Sequence, residues 1–123
     1  MIIETIDGTF SVCKVEDYSQ TDLSAPFCFS GKTDEENSLV CPTEDVPANT
    51  TERDDGWQAF RISGVLDFSL IGILAEIASI LAENGVSVFA LSTYNTDYIL
   101  TKKREKALKC LSEAGYEIRS AKS

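Results

Sequence analysis

Polar side chains that could bind a charged ligand stand in the middle of the stretch LSTYNTDYILT, residues 91–101. Ser92, Thr93 and Asp97 offer hydroxyl and carboxylate oxygens to an ammonium or a guanidinium group, and a carboxylate–cation hydrogen bond is about twice as strong as a neutral one. The same stretch also suits an ordinary hairpin turn, because Asn and Asp side chains readily bond to their own backbone. The pattern leaves both interpretations of Asp97 open.

A second candidate for ligand chemistry is the start of a predicted helix over residues 69–84. The first backbone N–H groups of a helix lack partners and the helix dipole favours an anion, so a carboxylate could bind there. Gly72 falls in the predicted first turn, where glycine costs about 1 kcal/mol relative to alanine. Close approach of a ligand and close packing of the helix on a strand would each explain this glycine. The helix start and the acidic hairpin would together suit the two charges of a free amino acid.

Hydrophobic periodicity predicts the elements that position these groups. Apolar residues at helical spacing from Leu70 to Leu81 predict the first helix, with Ser69 or Asp67 as its cap and Gly85 as its stop. A second, basic amphipathic helix is predicted at about residues 103–114, with Gly115 as its stop. Strands are predicted at residues 57–63, 86–92, 98–101 and 116–120. This β-α-β-β-α-β order predicts an α+β, ferredoxin-like fold, with a mixed antiparallel sheet and both helices on one face.

The first half of the chain is predicted to be rich in strands and to lack a long helix. Its strands are predicted at residues 8–15, 25–31 and 38–42. The stretch PTEDVPANTTERDDG, residues 42–56, has no apolar period and predicts a linker. FCFSGKTDEENSLV and VFALSTYNTDYILT both run strand, polar turn, strand, which indicates a degenerate repeat. We therefore predict two domains, a reduced N-terminal unit at residues 1–55 and a full C-terminal unit at residues 56–123.

Composition disfavours several classes of function. The net charge is −9, and residues 1–55 alone carry 13 acidic and 3 basic side chains, which disfavours nucleic acid and anionic membranes as partners. Histidine is absent and the four cysteines lack C-x-x-C spacing, so we expect buried free thiols, no metal site and no cofactor. No nucleophile has a recognisable base beside it, which disfavours an enzyme. We expect a cytoplasmic protein, because the sequence shows neither a membrane span nor a signal peptide.

Two phrases in their order and spacing, LDFSLIGILA (66–75) and LSTYNTDYIL (91–100), resemble the aspartokinase-like group of proteins with two adjacent ACT domains. TDEENSLVCPTEDVP (33–47) fits the first unit of the same group, and the resemblance covers residues 8–118. The strand-turn-strand phrase is also similar to that of the CASTOR arginine sensors. The resemblance implies ferredoxin-like units, side-by-side association of sheets in a homodimer, and regulatory binding of a small molecule, usually an amino acid, without catalysis.

The resemblance also implies site residues. In ACT domains the loop before the first helix is part of the ligand site, which here corresponds to Asp67, Phe68, Ser69, Leu70, Ile71 and Gly72. Similarity to the arginine sensors places their ligand-reading aspartate at Asp97, beside Ser92 and Thr93. We therefore predict a non-catalytic regulatory protein whose ligand is an amino acid. The alternative is a protein–protein interaction or dimerisation module that binds no small molecule.

Overall fold

The computed structural model describes residues 2–63 and 72–120. The chain divides into two compact units, which we call the strand unit (Gly8–Trp57) and the helical unit (Met1–Asp7 with Gln58–Ser123). The strands are β1 (Ile2–Val15), β2 (Phe29–Lys32), β3 (Asn37–Pro42), β4 (Thr50–Ser63), β5 (Val88–Ser92), β6 (Asp97–Thr101) and β7 (Glu117–Ser120), and the helices are α1 (Ile73–Glu83) and α2 (Arg104–Glu113). Strands β1 and β4 contribute residues to both units. The predicted division into ACT-like domains at residues 1–55 and 56–123 stays a prediction.

The sheet of the helical unit has the order β7-β1-β4-β6-β5. Strand β6 pairs antiparallel with β4, where Phe60 faces Ile99, and with β5, where Ala90 faces the same residue. Strand β7 instead runs parallel to β1, with Ile3 opposite Ile118. The result is a mixed sheet in which β5 and β7 are the outer strands.

One hydrophobic core joins this sheet to both helices. Phe60 and Ile62 of β4 are buried in it at alternate positions, as a strand with one face on a core requires. Each helix adds two buried residues four positions apart, Ile77 with Leu81 in α1 and Ala107 with Leu111 in α2. Both helices therefore cover the same face of the sheet, as predicted.

Both helices end in the same way, at a glycine with positive φ. Gly85 has a φ of 72° and Gly115 a φ of 103°, conformations that glycine adopts without steric cost. The next residue then bonds back into the last turn, from Val86 N to Leu81 O over 2.9 Å and from Tyr116 N to Leu111 O over 3.0 Å. The two predicted helix stops are confirmed.

The strand unit has the order β2-β3-β1-β4 and contains no α-helix, although the structure describes all of its residues. A loop at residues 16–28 and a single 3-10 turn, Thr43–Asp45, connect its strands where the helical unit has α1 and α2. Its small core includes Cys13 and Cys41 as free thiols. Burial is the main cause that raises the pKa of Cys41 to about 12, so this thiol stays protonated and unreactive.

Two sequence-based predictions need correction. The predicted linker at residues 42–56 is wrong in its second half, because β4 already begins at Thr50. Backbone pairing with β1 forms this strand while the side chains of residues 51–56 stay exposed, so no apolar period marks it. The α+β class with two helices on a mixed, mainly antiparallel sheet is confirmed. The description as ferredoxin-like units is too simple, because the described chain has seven strands and only one unit has helices.

Helices long and apolar enough to cross a bilayer are absent from residues 2–63 and 72–120. The same described ranges hold no group of three or more Cys, Asp or Glu residues placed to bind a metal ion.

Candidate functional site

The hairpin between β5 and β6 brings together Ser92, Thr93 and Asp97. Ser92 and Asp97 are paired across the hairpin, and the Ser92 hydroxyl donates to Asp97 Oδ1 over 2.6 Å. The turn itself is closed by Thr93, whose backbone N–H donates to Thr96 O over 2.8 Å and whose hydroxyl accepts from Thr96 N over 3.3 Å. The Asp97 carboxylate is half-buried at a strand position and does not close the turn.

The hairpin between β2 and β3 has the same turn and provides a comparison. Thr33 N donates to Glu36 O over 2.9 Å, and Glu36 N donates to the Thr33 hydroxyl over 3.1 Å. Lys32 pairs with Asn37 in this hairpin, so Asn37 occupies the position that corresponds to Asp97. The same turn therefore forms in this hairpin without an aspartate at that position.

The start of α1 differs from the prediction in one respect. Gly72 lies one residue before the helix, with a φ of 97°, and not in its first turn. Its carbonyl accepts the first helical bond, from Glu76 N over 2.8 Å. Apart from Gly72 itself and its neighbours in the chain, no described residue has an atom within 4 Å of the point that a Cβ of Gly72 would occupy. The positive φ therefore explains the glycine, whereas close helix–strand packing does not.

The other predicted residues of this segment lie outside the described residues, namely Asp67, Phe68, Ser69, Leu70 and Ile71. Ser69 and Asp67, the two predicted helix caps, are among these residues. Of the predicted site residues, the structure therefore describes Gly72, Ser92, Thr93 and Asp97.

Chain direction places the start of α1 and the β5–β6 turn at the same end of the helical unit. The Thr96 hydroxyl donates to Ile62 O, so the turn lies beside the last residues of β4. Helix α1 packs along the sheet and ends at Glu83, five residues before β5 begins at Val88. Because α1 and β5 therefore run in opposite directions, α1 begins at the end of the sheet where β5 finishes.

The end of α2 lies at this end too, next to a cavity of about 270 Å³. The cavity is lined by Ile73 and Glu76 from the start of α1 and by Ala114, Gly115 and Tyr116 after the end of α2. The Tyr116 hydroxyl donates to Glu76 Oε1 over 2.8 Å. Burial, followed by the bond to Glu76, raises the pKa of Tyr116 to about 12, so the phenol is a protonated donor at neutral pH.

Glu76 and Tyr116 were not predicted as site residues from the sequence. Glu76 stood out only as a charge within an apolar run, and Tyr116 as the start of a strand. The available signal was the order of the elements, because a β-α-β-β-α-β order brings the start of the first helix and the end of the second to one end of the sheet. Applying that rule to Gly72 and Gly115 would have pointed to their neighbours.

A polar cluster on the sheet face opposite the helices is already paired internally. The Arg61 guanidinium lies 3.7 Å from the Glu4 carboxylate and donates to the Tyr98 hydroxyl over 3.3 Å. A hydrogen bond with Ser63, followed by the charge of Arg61, lowers the pKa of Glu4. The charges of this cluster are therefore paired with each other. The cavity beside Glu76 is the better candidate site.

Comparison with solved structures places this fold among known proteins. A crystal structure of a protein from Agobacterium tumefaciens aligns with a TM-score of 0.85 and 25% identity, over 99% of this chain and 94% of that one. A structure of aspartokinase alpha and beta subunits aligns with a TM-score of 0.64 and 14% identity, over 93% and 97% of the two chains. The allosteric aspartate kinase of Clostridium acetobutylicum aligns with a TM-score of 0.62 and 13% identity, over 91% of this chain and 33% of the enzyme. The two aspartokinase likenesses show a shared fold.

Sequence comparison identifies the family. Among curated proteins, none matches this sequence. A family model described as an ACT domain matches residues 52–113, which is half of the chain. The match begins at the third residue of β4 and ends with α2. The chain therefore belongs to the ACT domain family.

Proposed function

We propose that this protein is a non-catalytic regulatory ACT protein that binds a free amino acid at the end of the helical unit where α1 begins. The observation that carries the proposal is the 270 Å³ cavity between the start of α1 and the end of α2. A helix start carries partial positive charge and a helix end partial negative charge. A cavity between two such ends suits a molecule that carries both charges.

The side chains around this cavity also suit a free amino acid. The Glu76 carboxylate is an acceptor for an ammonium group, and the protonated Tyr116 hydroxyl is a neighbour that holds it in place. Ligand cavities commonly measure about 300–1,000 Å³, so 270 Å³ suits a molecule of amino-acid size better than a nucleotide. Gly72 leaves the approach to α1 open among the described residues.

The Asp97 hairpin is the second part of the proposed site, from the same subunit or from an adjoining one. Its carboxylate accepts one bond from Ser92 and retains acceptor capacity for a cationic group. Asn37 replaces it in the strand unit, which also lacks a helix start, so we assign the ligand to the helical unit alone. We also propose that the chain is a tandem ACT protein whose ligand site is similar to that of the arginine sensors.

A thermal-shift screen against the twenty amino acids tests the proposal, with Glu76→Gln and Glu83→Gln as matched variants. Both variants remove one negative charge from an exposed position of α1, but only Glu76 lines the cavity. We expect at least one amino acid to raise the melting temperature at millimolar concentration, because a ligand that binds only the folded state stabilises it. The rise should shrink in Glu76→Gln and persist in Glu83→Gln. If no amino acid raises the melting temperature, the proposal fails.

The edge strand β5 favours dimerisation as a second candidate function. Val88–Ser92 is an outer strand of its sheet and carries no charged residue to prevent pairing with another strand. Tyr94, at the adjacent turn, is 93% exposed. Sedimentation of the wild type and of Ala90→Lys tests this candidate, since a lysine on the edge should favour the monomer. A wild type that is monomeric at high concentration would rule it out.

A further inference from the structure

A second cavity, of about 610 Å³, lies where α2 begins, and lysines dominate its lining. The lining residues are Gln58, Lys102, Lys103, Glu105, Lys106 and Lys109. Four of the seven lysines of the chain are thus gathered around one cavity with a single carboxylate, in a protein whose net charge is −9. The local excess of positive charge is opposite in sign to the protein as a whole.

Three of the lysines that line this cavity are not explained by contacts that the structure describes. Lys103, Lys106 and Lys109 are exposed, and none lies within 4.0 Å of a carboxylate of any residue that the structure describes. Arg104 is different, because its guanidinium donates to Ile6 O over 2.6 Å and to Ala59 O over 3.1 Å. Arg104 fixes α2 to the sheet, whereas Lys103, Lys106 and Lys109 leave their ammonium groups available.

Their placement is also unfavourable for the stability of α2. Lys106 and Lys109 are three positions apart on α2, a spacing at which like charges on a helix repel each other. Positive charge in the first turn also opposes the helix dipole. Lys103 occupies the N-cap position without a capping side-chain bond. A cluster that costs stability without a compensating contact is typical of a binding site.

We propose that this cavity binds the phosphoryl groups of a compact di- or triphosphate. Lysine acts as a point charge with three donors and is a common ligand of phosphate, and several ammonium groups together call for more than one negative charge. A volume of 610 Å³ accommodates inorganic pyrophosphate or a nucleotide. The acidic remainder of the chain disfavours a long polyanion such as nucleic acid, whereas charges beyond about 8–10 Å are screened from a small one.

Isothermal titration with sodium pyrophosphate, sodium tripolyphosphate, ATP and inorganic phosphate at 0.15 M ionic strength tests the proposal. The matched variants are Lys106→Gln/Lys109→Gln, at the cavity, and Lys14→Gln/Lys32→Gln, exposed lysines of the strand unit. Each variant removes two positive charges, and glutamine is as good a helix former as lysine. We expect the cavity variant to bind pyrophosphate at least about tenfold more weakly than the wild type, and the control variant within about twofold.

The competing outcomes are distinct. Equal affinity for tripolyphosphate and ATP identifies the inorganic chain as sufficient, whereas tighter binding of ATP identifies a nucleotide. Absence of binding at millimolar pyrophosphate, an equal loss in both variants, or tighter binding of single-stranded DNA than of ATP would each overturn the proposal. Because the amino-acid cavity contains none of these lysines, the cavity variant should keep any amino-acid response, which makes this test independent of the proposed regulatory function.

Discussion

The hydroxyl of Tyr116 donates to Glu76 Oε1 over 2.8 Å and so joins the third residue after the end of α2 to the first turn of α1. The two residues are 40 positions apart in the sequence. Their contact fixes the relative position of one positive and one negative helix end, which is the arrangement that suits a zwitterion. A bond between two side chains thus supports both the fold of the helical unit and its proposed site.

Replacement of Tyr116 by phenylalanine should change how stability depends on pH. The folded-state pKa of Tyr116 is raised to about 12 from its usual value of 10.0, so its contribution is fully present below pH 10 and is lost as the pH rises through 12. At pH 7 the variant should lose about 0.5–1.5 kcal/mol of unfolding free energy with the hydrogen bond. Urea unfolding between pH 7 and pH 12 should show a smaller alkaline loss for the variant than for the wild type. Parallel curves would contradict the raised pKa of Tyr116, of which burial is the main cause and the bond to Glu76 the next.

Replacement of Gly72 by alanine should lower the free energy of unfolding by about 1–2 kcal/mol, because a side chain is disfavoured at a φ of 97°. Gly31 is the matched control, since its φ is not positive and a Cβ there would meet only Ser38 Cβ at an ordinary 3.9 Å. Gly31→Ala should be neutral or slightly stabilising. Equal effects of the two substitutions in chemical unfolding would show that φ is not the cause.

The two hairpin turns should respond equally to loss of their threonine hydroxyls. Thr33→Val and Thr93→Val each remove the acceptor for a backbone N–H three residues later, from Glu36 and Thr96. We expect each to lower the unfolding free energy by about 0.5–1.5 kcal/mol. A large loss at one turn with none at the other would argue against the structural repeat.

Replacement of Lys103 by aspartate should stabilise the protein and weaken the binding of phosphate. Aspartate at the N-cap position of α2 can accept an unpaired backbone N–H, worth about 0.5–2 kcal/mol. The same change replaces a cation of the lysine cavity by an anion, so the affinity for pyrophosphate should fall. Thermal unfolding and titration of one variant measure both effects, and a variant that is less stable than the wild type would contradict the account of this helix start.

The helical unit could be predicted from the sequence because its elements are amphipathic. The helical stripe of α1, the alternation at Phe60 and Ile62, and the glycine stops Gly85 and Gly115 are all local patterns with a direct physical cause. The start of β4 at Thr50 could not be predicted, because its first residues are exposed and are held in the strand by backbone pairing and not by burial.

The candidate site could be predicted only in part. The acceptor oxygens of Ser92, Thr93 and Asp97 and the resemblance to arginine sensors pointed to these residues, and the structure brings them together in one hairpin. Glu76 and Tyr116 were not predicted, because their contact depends on the positions in space of the start of α1 and the end of α2. A short stretch of sequence does not determine those positions. The segment 67–71 stays a prediction, since it lies outside the described residues.

Nuclear magnetic resonance of the ¹⁵N-labelled protein with an equimolar mixture of the twenty amino acids tests the central claim most directly. We predict that the amide resonances of Gly72, Ile73, Glu76 and Tyr116 move as the mixture is added, with Asp97 among the next largest changes. The resonances of α2 near Lys106 should stay in place. A spectrum in which these five amides do not move at millimolar ligand would contradict the proposed amino-acid site.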